Sequence, residues 1–431
     1  DVSVQTSMRG EVWLVIVLIL LTGSWTLRVD AAKRAAPRKR ELLAEHGPVS
    51  ESTEESGLLL PTVTAATLYE KSRQWHQEGA RIKGTGLRPV LGYVTPWHPA
   101  GYEFSVLFRA KLTHVSPVWY QLRRAKVDSS KEWVLVGGHE YNETWINSVR
   151  QPGGMQESCV AVEEVAEASC SATNAEVTTR VVPRVVVEVD EAQDHLDLVQ
   201  SPEAAIEAIV KEVESRDYDG IVLEVWMTWA FMNGISNDAF RAAAFAFIQR
   251  LSSSLRALQP SGTGGSRQLI LAVPPVVPSA PSRPRIDPAH MDQLAAFVDA
   301  WSVMTYDYSV GSGPQPNAPL PWLESNIALL QKEMSKSRPD QTLMGLNFYG
   351  YDYGQRVPAA ITADAYLQIL SKHQPTLEWR EEHGEHSFQY SVGNKQHTVY
   401  FPSPLSIQQR LKMFGENGFG VSIWELGQGL E

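Results

Sequence analysis

Between residue 88 and its end the chain repeats one pattern eight times: a short aliphatic or β-branched run, followed in most cases by helical periodicity. The runs lie at 89–94, 113–121, 181–189, 220–226, 269–273, 300–306, 343–349 and 420–424. Helical spacing marks 203–214, 239–258, 288–297, 321–335 and 404–417. Parallel strands need a long crossover, and a helix supplies it. Eight strands interleaved with helices predict an α/β fold, a (β/α)8 TIM barrel. Strand-like pieces at 387–390 and 398–401 around a helix at 362–372 predict a small α+β insertion between strands 7 and 8, over 350–401. With 431 residues and 43% hydrophobic composition the chain can bury such a core in one large domain.

The fourth run is the most informative. An acidic turn and a glycine (Asp217, Asp219, Gly220) lead into Ile221, Val222, Leu223, Glu224, Val225 and Trp226. Side chains alternate across a strand, so Ile221, Leu223 and Val225 share a purely apolar face suited to packing beneath helices. Val222, Glu224 and Trp226 share the other. A carboxylate inside a buried strand is costly unless it is paired or protonated, so Glu224 is either tied to a core partner or part of a functional site.

The N-terminus reads as an address. Met8 and Arg9 precede an apolar run from Val12 to Leu21, and Val29, Asp30 and Ala31 form a plausible cleavage site, which predicts a signal peptide over 1–31 starting at Met8. A basic then acidic, Ser-rich segment predicts a mobile N-terminal arm over 32–82, with a short helix in 66–82, ahead of a barrel domain at 83–431. No stable membrane insertion is expected once the signal is removed. The low-hydrophobicity insertion at 151–178 holds both cysteines, and in a secreted chain Cys159 and Cys170 are expected to bridge each other. Asn142 heads the Asn-Glu-Thr glycosylation triplet. A net charge of −11 and the absence of a basic stripe in the globular part argue against nucleic acid as a partner. There is no phosphate-cradling Gly loop and no Ser-His-Asp signature, and the His383/His386 pair reads as a solvated charged stretch. No cofactor and no metal are expected.

Barrel enzymes carry their chemistry at strand C-termini. Here those ends offer Tyr93 and Trp97, then Trp119, Glu224 and Trp226, Tyr306 and Asp307, Asn347 and Tyr349, and Trp424. Aromatic faces pack on the C–H faces of sugar rings, and carboxylates and amides take hydroxyls, so this ring of side chains is expected to bind carbohydrate.

Gly92-Tyr93, Asp219-Gly220, Met304-Thr305-Tyr306-Asp307, Gly345-Leu346-Asn347-Phe348-Tyr349-Gly350 and Ile423-Trp424-Glu425 resemble the motifs of the chitinases of glycoside hydrolase family 18, in order and spacing. The resemblance covers the chain from about residue 88 onward and implies the barrel and its α+β subdomain. Active members have D-x-x-D-x-D-x-E on strand four. Their final Glu protonates the glycosidic oxygen, the substrate's acetamido oxygen attacks, and the third Asp orients it, an exception to the two-carboxylate scheme. Aligned on Asp219, this chain has Val222 for the second Asp, Glu224 for the third and Trp226 for the Glu. The resemblance therefore implies a secreted chitinase-like lectin that binds chito-oligosaccharides, with no catalytic residue and Trp226 stacking in the acid's place. The alternatives are a weakly active hydrolase using Glu224 or Asp307, or a scaffold recognised by a sorting or scavenger receptor. Lysosomal delivery is also implied.

Overall fold

The structure, a computed structural model, describes residues 47–77, 79–81, 88–127, 130–152, 178–309, 313–336, 338–355 and 357–430. The expected signal peptide and the Cys159–Cys170 bridge lie outside the described residues.

The barrel strands are β1 (Val90–Val94), β2 (His114–Pro117), β3 (Arg184–Val187), β4 (Gly220–Glu224), β5 (Gln268–Val273), β6 (Ala300–Val303), β7 (Thr342–Asn347) and β8 (Gly420–Trp424). Neighbours pair in parallel from β3 through to β8, then β8 with β1 and β1 with β2. The ring closes through Arg180–Val181, which pairs with β2 just before the chain passes Pro183 into β3. Pro183 has no N–H to give a ladder, so the strand is interrupted there. This is a (β/α)8 barrel-type domain.

Alternation sorts the core into two layers. Leu91, Tyr93, Val222, Ile270, Ala272 and Leu343 point inward and pack together, with Trp424 against them. Ile221, Leu223 and Val225 point outward into the larger cluster beneath the helices. The helix Asp238–Arg256 shows how that outer layer is built. Asn237 caps it by accepting the Phe240 N–H, and Phe240, Ala244, Phe247, Ile248, Leu251 and Leu255 recur at helical spacing along its buried stripe. Burial of each large aliphatic or aromatic side chain contributes ~1.5–3 kcal/mol.

Two features differ from the sequence reading. After β2 the chain breaks, and Tyr120–Val127 starts a new strand that pairs with β3 and folds back on Ser130–Val136 as a hairpin. The N-terminal segment is also not an arm throughout. Thr64 caps the helix Ala65–Lys71, and Leu58, Val63, Ala65 and Leu68 are buried in one cluster with Tyr366, Leu370, Phe388 and Phe401. Leu58, Val63, Ala65 and Leu68 share the buried face while Leu60 and Tyr69 stay exposed, a sorting that overall composition hides. The cluster's other half is the α+β insertion: a five-stranded sheet running Ala359–Ile361, Gly350–Asp352, Lys395–Tyr400, Glu385–Val392 and Glu378–Arg380, with the helix Ala363–His373.

Candidate active site

Glu224 ends β4 on the inward face, as the alternation requires, and it is partnered. Arg184, the first residue of β3, donates from Nε to Glu224 Oε2 at 2.5 Å. Burial works against the guanidinium charge, yet the Glu224 carboxylate beside it leaves Arg184 with a pKa raised above its ordinary value. The guanidinium carbon also lies 5.9 Å from the centre of the Trp424 ring, which is tilted against Tyr93 at 5.2 Å. Tyr93 donates its hydroxyl to Ser302 Oγ at 2.9 Å beneath this layer. Sequence reasoning missed Arg184, although it is the one charged residue in the run 181–187 and so mirrors Glu224.

Across the mouth, β6 delivers Tyr306 and Asp307. Gly345 on β7 lets the Tyr306 ring approach: a Cβ there would stand 2.9 Å from it and 2.5 Å from the Val303 carbonyl oxygen. Asp307 turns left-handed, with φ 62°, a conformation that Asp adopts more readily than most residues. Its Oδ1 accepts hydroxyl hydrogen bonds from Tyr349 and, at 2.8 Å, from Tyr351. Burial pushes the Asp307 carboxyl above the ordinary aspartate range, with those phenols and Arg283 pulling the other way. Tyr306 lies within electrostatic reach of both carboxyls. Burial first, then Tyr93, Asp307 and Glu224, hold its phenol protonated far above neutral pH. Asn347 is buried at the end of β7 and donates from Nδ2 to the Tyr349 carbonyl at 2.8 Å.

The structure thus brings Tyr93, Glu224, Tyr306, Asp307, Asn347, Tyr349 and Trp424 to one end of the barrel, and adds Arg184 and Tyr351. Trp97 lies on the loop after β1 and is 41% exposed. Two expected residues are elsewhere. Trp226 is not in the groove: Val225 has φ −150° and ψ −23°, so the strand's alternation stops at Glu224 and a helix, Trp226–Phe231, begins. The indole turns outward and packs near Phe245 and His290, 1% exposed. Trp119 is outward too, buried against Tyr102, Trp145 and Tyr218, with its N–H donated to the Tyr102 hydroxyl. Its neighbour Val118 faces the barrel interior, and one step along an extended chain reverses the direction.

A barrel with a paired carboxylate, a half-buried carboxyl, and phenol and indole faces at its mouth has the parts for holding a sugar. Residues 171–429 match the family described as Glycosyl hydrolases family 18, and the chain belongs to that family. The cortical fragment-lytic enzyme of Bacillus anthracis is 30% identical over 139 residues, covering 30% of this chain and 32% of that protein. An uncharacterized glycosylase, YvbX, of Bacillus subtilis is 24% identical over 141 residues, 31% of this chain and 40% of that protein. The chain spans about a third of the length of the first of these curated relatives, 32%. In fold it is similar to a chitinase from Chromobacterium violaceum (TM-score 0.60, 17% identity, covering 79% of this chain and 95% of that one). The spore cortex-lytic enzyme SleL of Bacillus cereus gives TM-score 0.58 at 17% identity over 81% of this chain and 73% of that one. These relatives correct the expectation of a protein without catalytic residues: the curated ones carry the names of lytic enzymes and a glycosylase. The indole on which that expectation rested does not stand in the groove.

Proposed function

We propose that this chain is a slow glycoside hydrolase acting on oligosaccharides of the N-acetylglucosamine type. The observation that carries the reading is a pair of carboxyls within electrostatic reach of Tyr306, one paired with a guanidinium and the other with phenols. Glu224 is held in an ion pair against the Arg184 guanidinium. Asp307 is half-buried and its pKa is raised by desolvation, so it keeps a proton further into the pH range than an ordinary aspartate. Unequal environments of this kind assign acid and base roles. Asp307, with Oδ1 occupied by two phenols, offers a proton from Oδ2 to the glycosidic oxygen. As the glycosidic C–O bond breaks, the leaving sugar keeps the proton from Asp307 and the acetamido oxygen, oriented by Glu224, bonds to the anomeric carbon. A water then opens the ring so formed, returning a proton to Asp307. Trp424 supplies the apolar floor, with Tyr93 beneath it and Tyr306 alongside. The family's usual acid position is filled by an outward-turned Trp226, so turnover is expected to fall short of a dedicated enzyme by about 10²–10⁴-fold.

The test is release of fluorophore from a fluorogenic chito-oligosaccharide by the purified chain. Wild type is expected to exceed buffer measurably and Glu224→Gln to return to the buffer rate. A wild-type rate equal to buffer removes the reading. Export from the cell suits the apolar run near the N-terminus. It also suits Asn142, which is exposed and uses only its oxygen to cap the helix Glu143–Arg150, leaving the amide nitrogen available for a glycan.

A further inference from the structure

The stretch from His383 to His386, which reads as a solvated charged run, is largely the opposite in the structure. Glu385 and His386 are each 2% exposed. Glu385 opens the insertion strand Glu385–Val392 and forms an ion pair at 2.9 Å with Arg410 of the helix Pro404–Glu416, the two side chains being 2% and 1% exposed. Arg410 also donates to the carbonyls of Gly384 (2.8 Å), Ser406 (2.9 Å) and Ala318 (2.6 Å). The carboxylate reaches toward the barrel. It accepts the Asn317 N–H at 3.2 Å on Oε2 and the Ala318 N–H at 2.9 Å on Oε1.

Asn317 leads directly to the site. It is 1% exposed, its Oδ1 accepts the Asp307 N–H at 2.6 Å, and its carbonyl accepts the Tyr308 N–H at 2.9 Å. Both backbone donors at the left-handed turn are therefore taken by one residue, and that residue is held by Glu385. From these contacts we infer that Asn317 and the Glu385–Arg410 pair are positioning residues that hold the Asp307 carboxyl at the barrel mouth, so that the α+β insertion sets the geometry of the proton donor. Buried ion pairs are poor stabilisers relative to apolar packing, so a fully buried one retained between two elements is better explained by the arrangement it enforces. A displacement of about 1 Å at a reacting group can cost about 10²-fold in rate.

This inference rests on the proposed hydrolase reading for its rate measurement but not for its structural one. The groups facing Asp307 are Tyr349 and Tyr351 from the chain after β7, Tyr306 beside it, and Arg283, with Glu224 beyond Tyr306. The experiment follows the Asp307 carboxyl carbon by NMR on ¹³C-aspartate-labelled protein across pH, assigned by its absence in Asp307→Asn, together with kcat and KM. In Asn317→Ala, and in Glu385→Gln should the first not fold, the Asp307 titration is expected to move down toward the ordinary aspartate range. kcat is expected to fall about 10²-fold with KM little changed. Tyr390→Phe, which removes the hydrogen bond to Asp352 in the same sheet, is expected to move neither. Folded variants whose Asp307 titration and kcat match wild type overturn the inference. A moved titration in a protein without turnover supports the clamp and removes only the hydrolase reading.

Discussion

Replacing Asp307 with Asn is expected to lower kcat on a chito-oligosaccharide by about 10²–10⁴-fold, the usual contribution of a general acid. Asn keeps the shape, tolerates the left-handed backbone at φ 62° and can still accept from Tyr349 and Tyr351, but it has no proton to give. The pH dependence separates this from simple damage. Activity carried by the protonated carboxyl falls as pH rises through its raised pKa, so the wild-type rate should decline on the alkaline side and the variant should show no such limb. Stability moves the same way. A carboxyl whose pKa is raised on folding contributes stability below its unfolded value, and that contribution is lost as pH rises through the folded value. Asp307→Asn should thus melt no lower than wild type at pH 7, with its advantage shrinking toward acid. A variant that keeps full kcat would remove Asp307 from the mechanism.

Arg410→Ala should produce the largest loss of stability of any single charge removal discussed here, about 3–5 kcal/mol, because it strands the Glu385 carboxylate in the interior. Urea unfolding of the whole chain reads this as a lower midpoint with little change in slope. Arg123 provides the comparison. Its ion pair with Glu188 has side chains 49% and 42% exposed, and Arg123→Ala should cost only about 0–1 kcal/mol. Equal losses in the two variants would mean that the interior pair is not desolvated as its burial indicates.

Much of the barrel was legible in sequence because its rules are local. Period-two alternation put Glu224 inward and Ile221, Leu223 and Val225 outward, where they lie. The same rule failed two residues later, because Val225 leaves extended geometry and nothing in its side chain announces that. It failed at Trp119 for a different reason. A single strand was read across 113–121, whereas β2 stops at Pro117 and Tyr120 begins another. Arg184 went unread because its meaning depends on a carboxylate 40 residues away. Glu385, in the His383–His386 stretch, reads as solvated charge for the same reason: its partner Arg410 lies 25 residues away. Long-range pairing turns a costly charge into a structural one, and composition carries no trace of it.

The N-terminal helix has a practical corollary. Leu68 and its neighbours roof the sheet that carries Glu385, and a product trimmed back to the first barrel strand would leave Tyr366, Phe388 and Phe401 facing water. Bare aromatic surface of that kind invites self-association. The shortest piece of this chain that keeps this cluster closed therefore reaches back at least to Leu58.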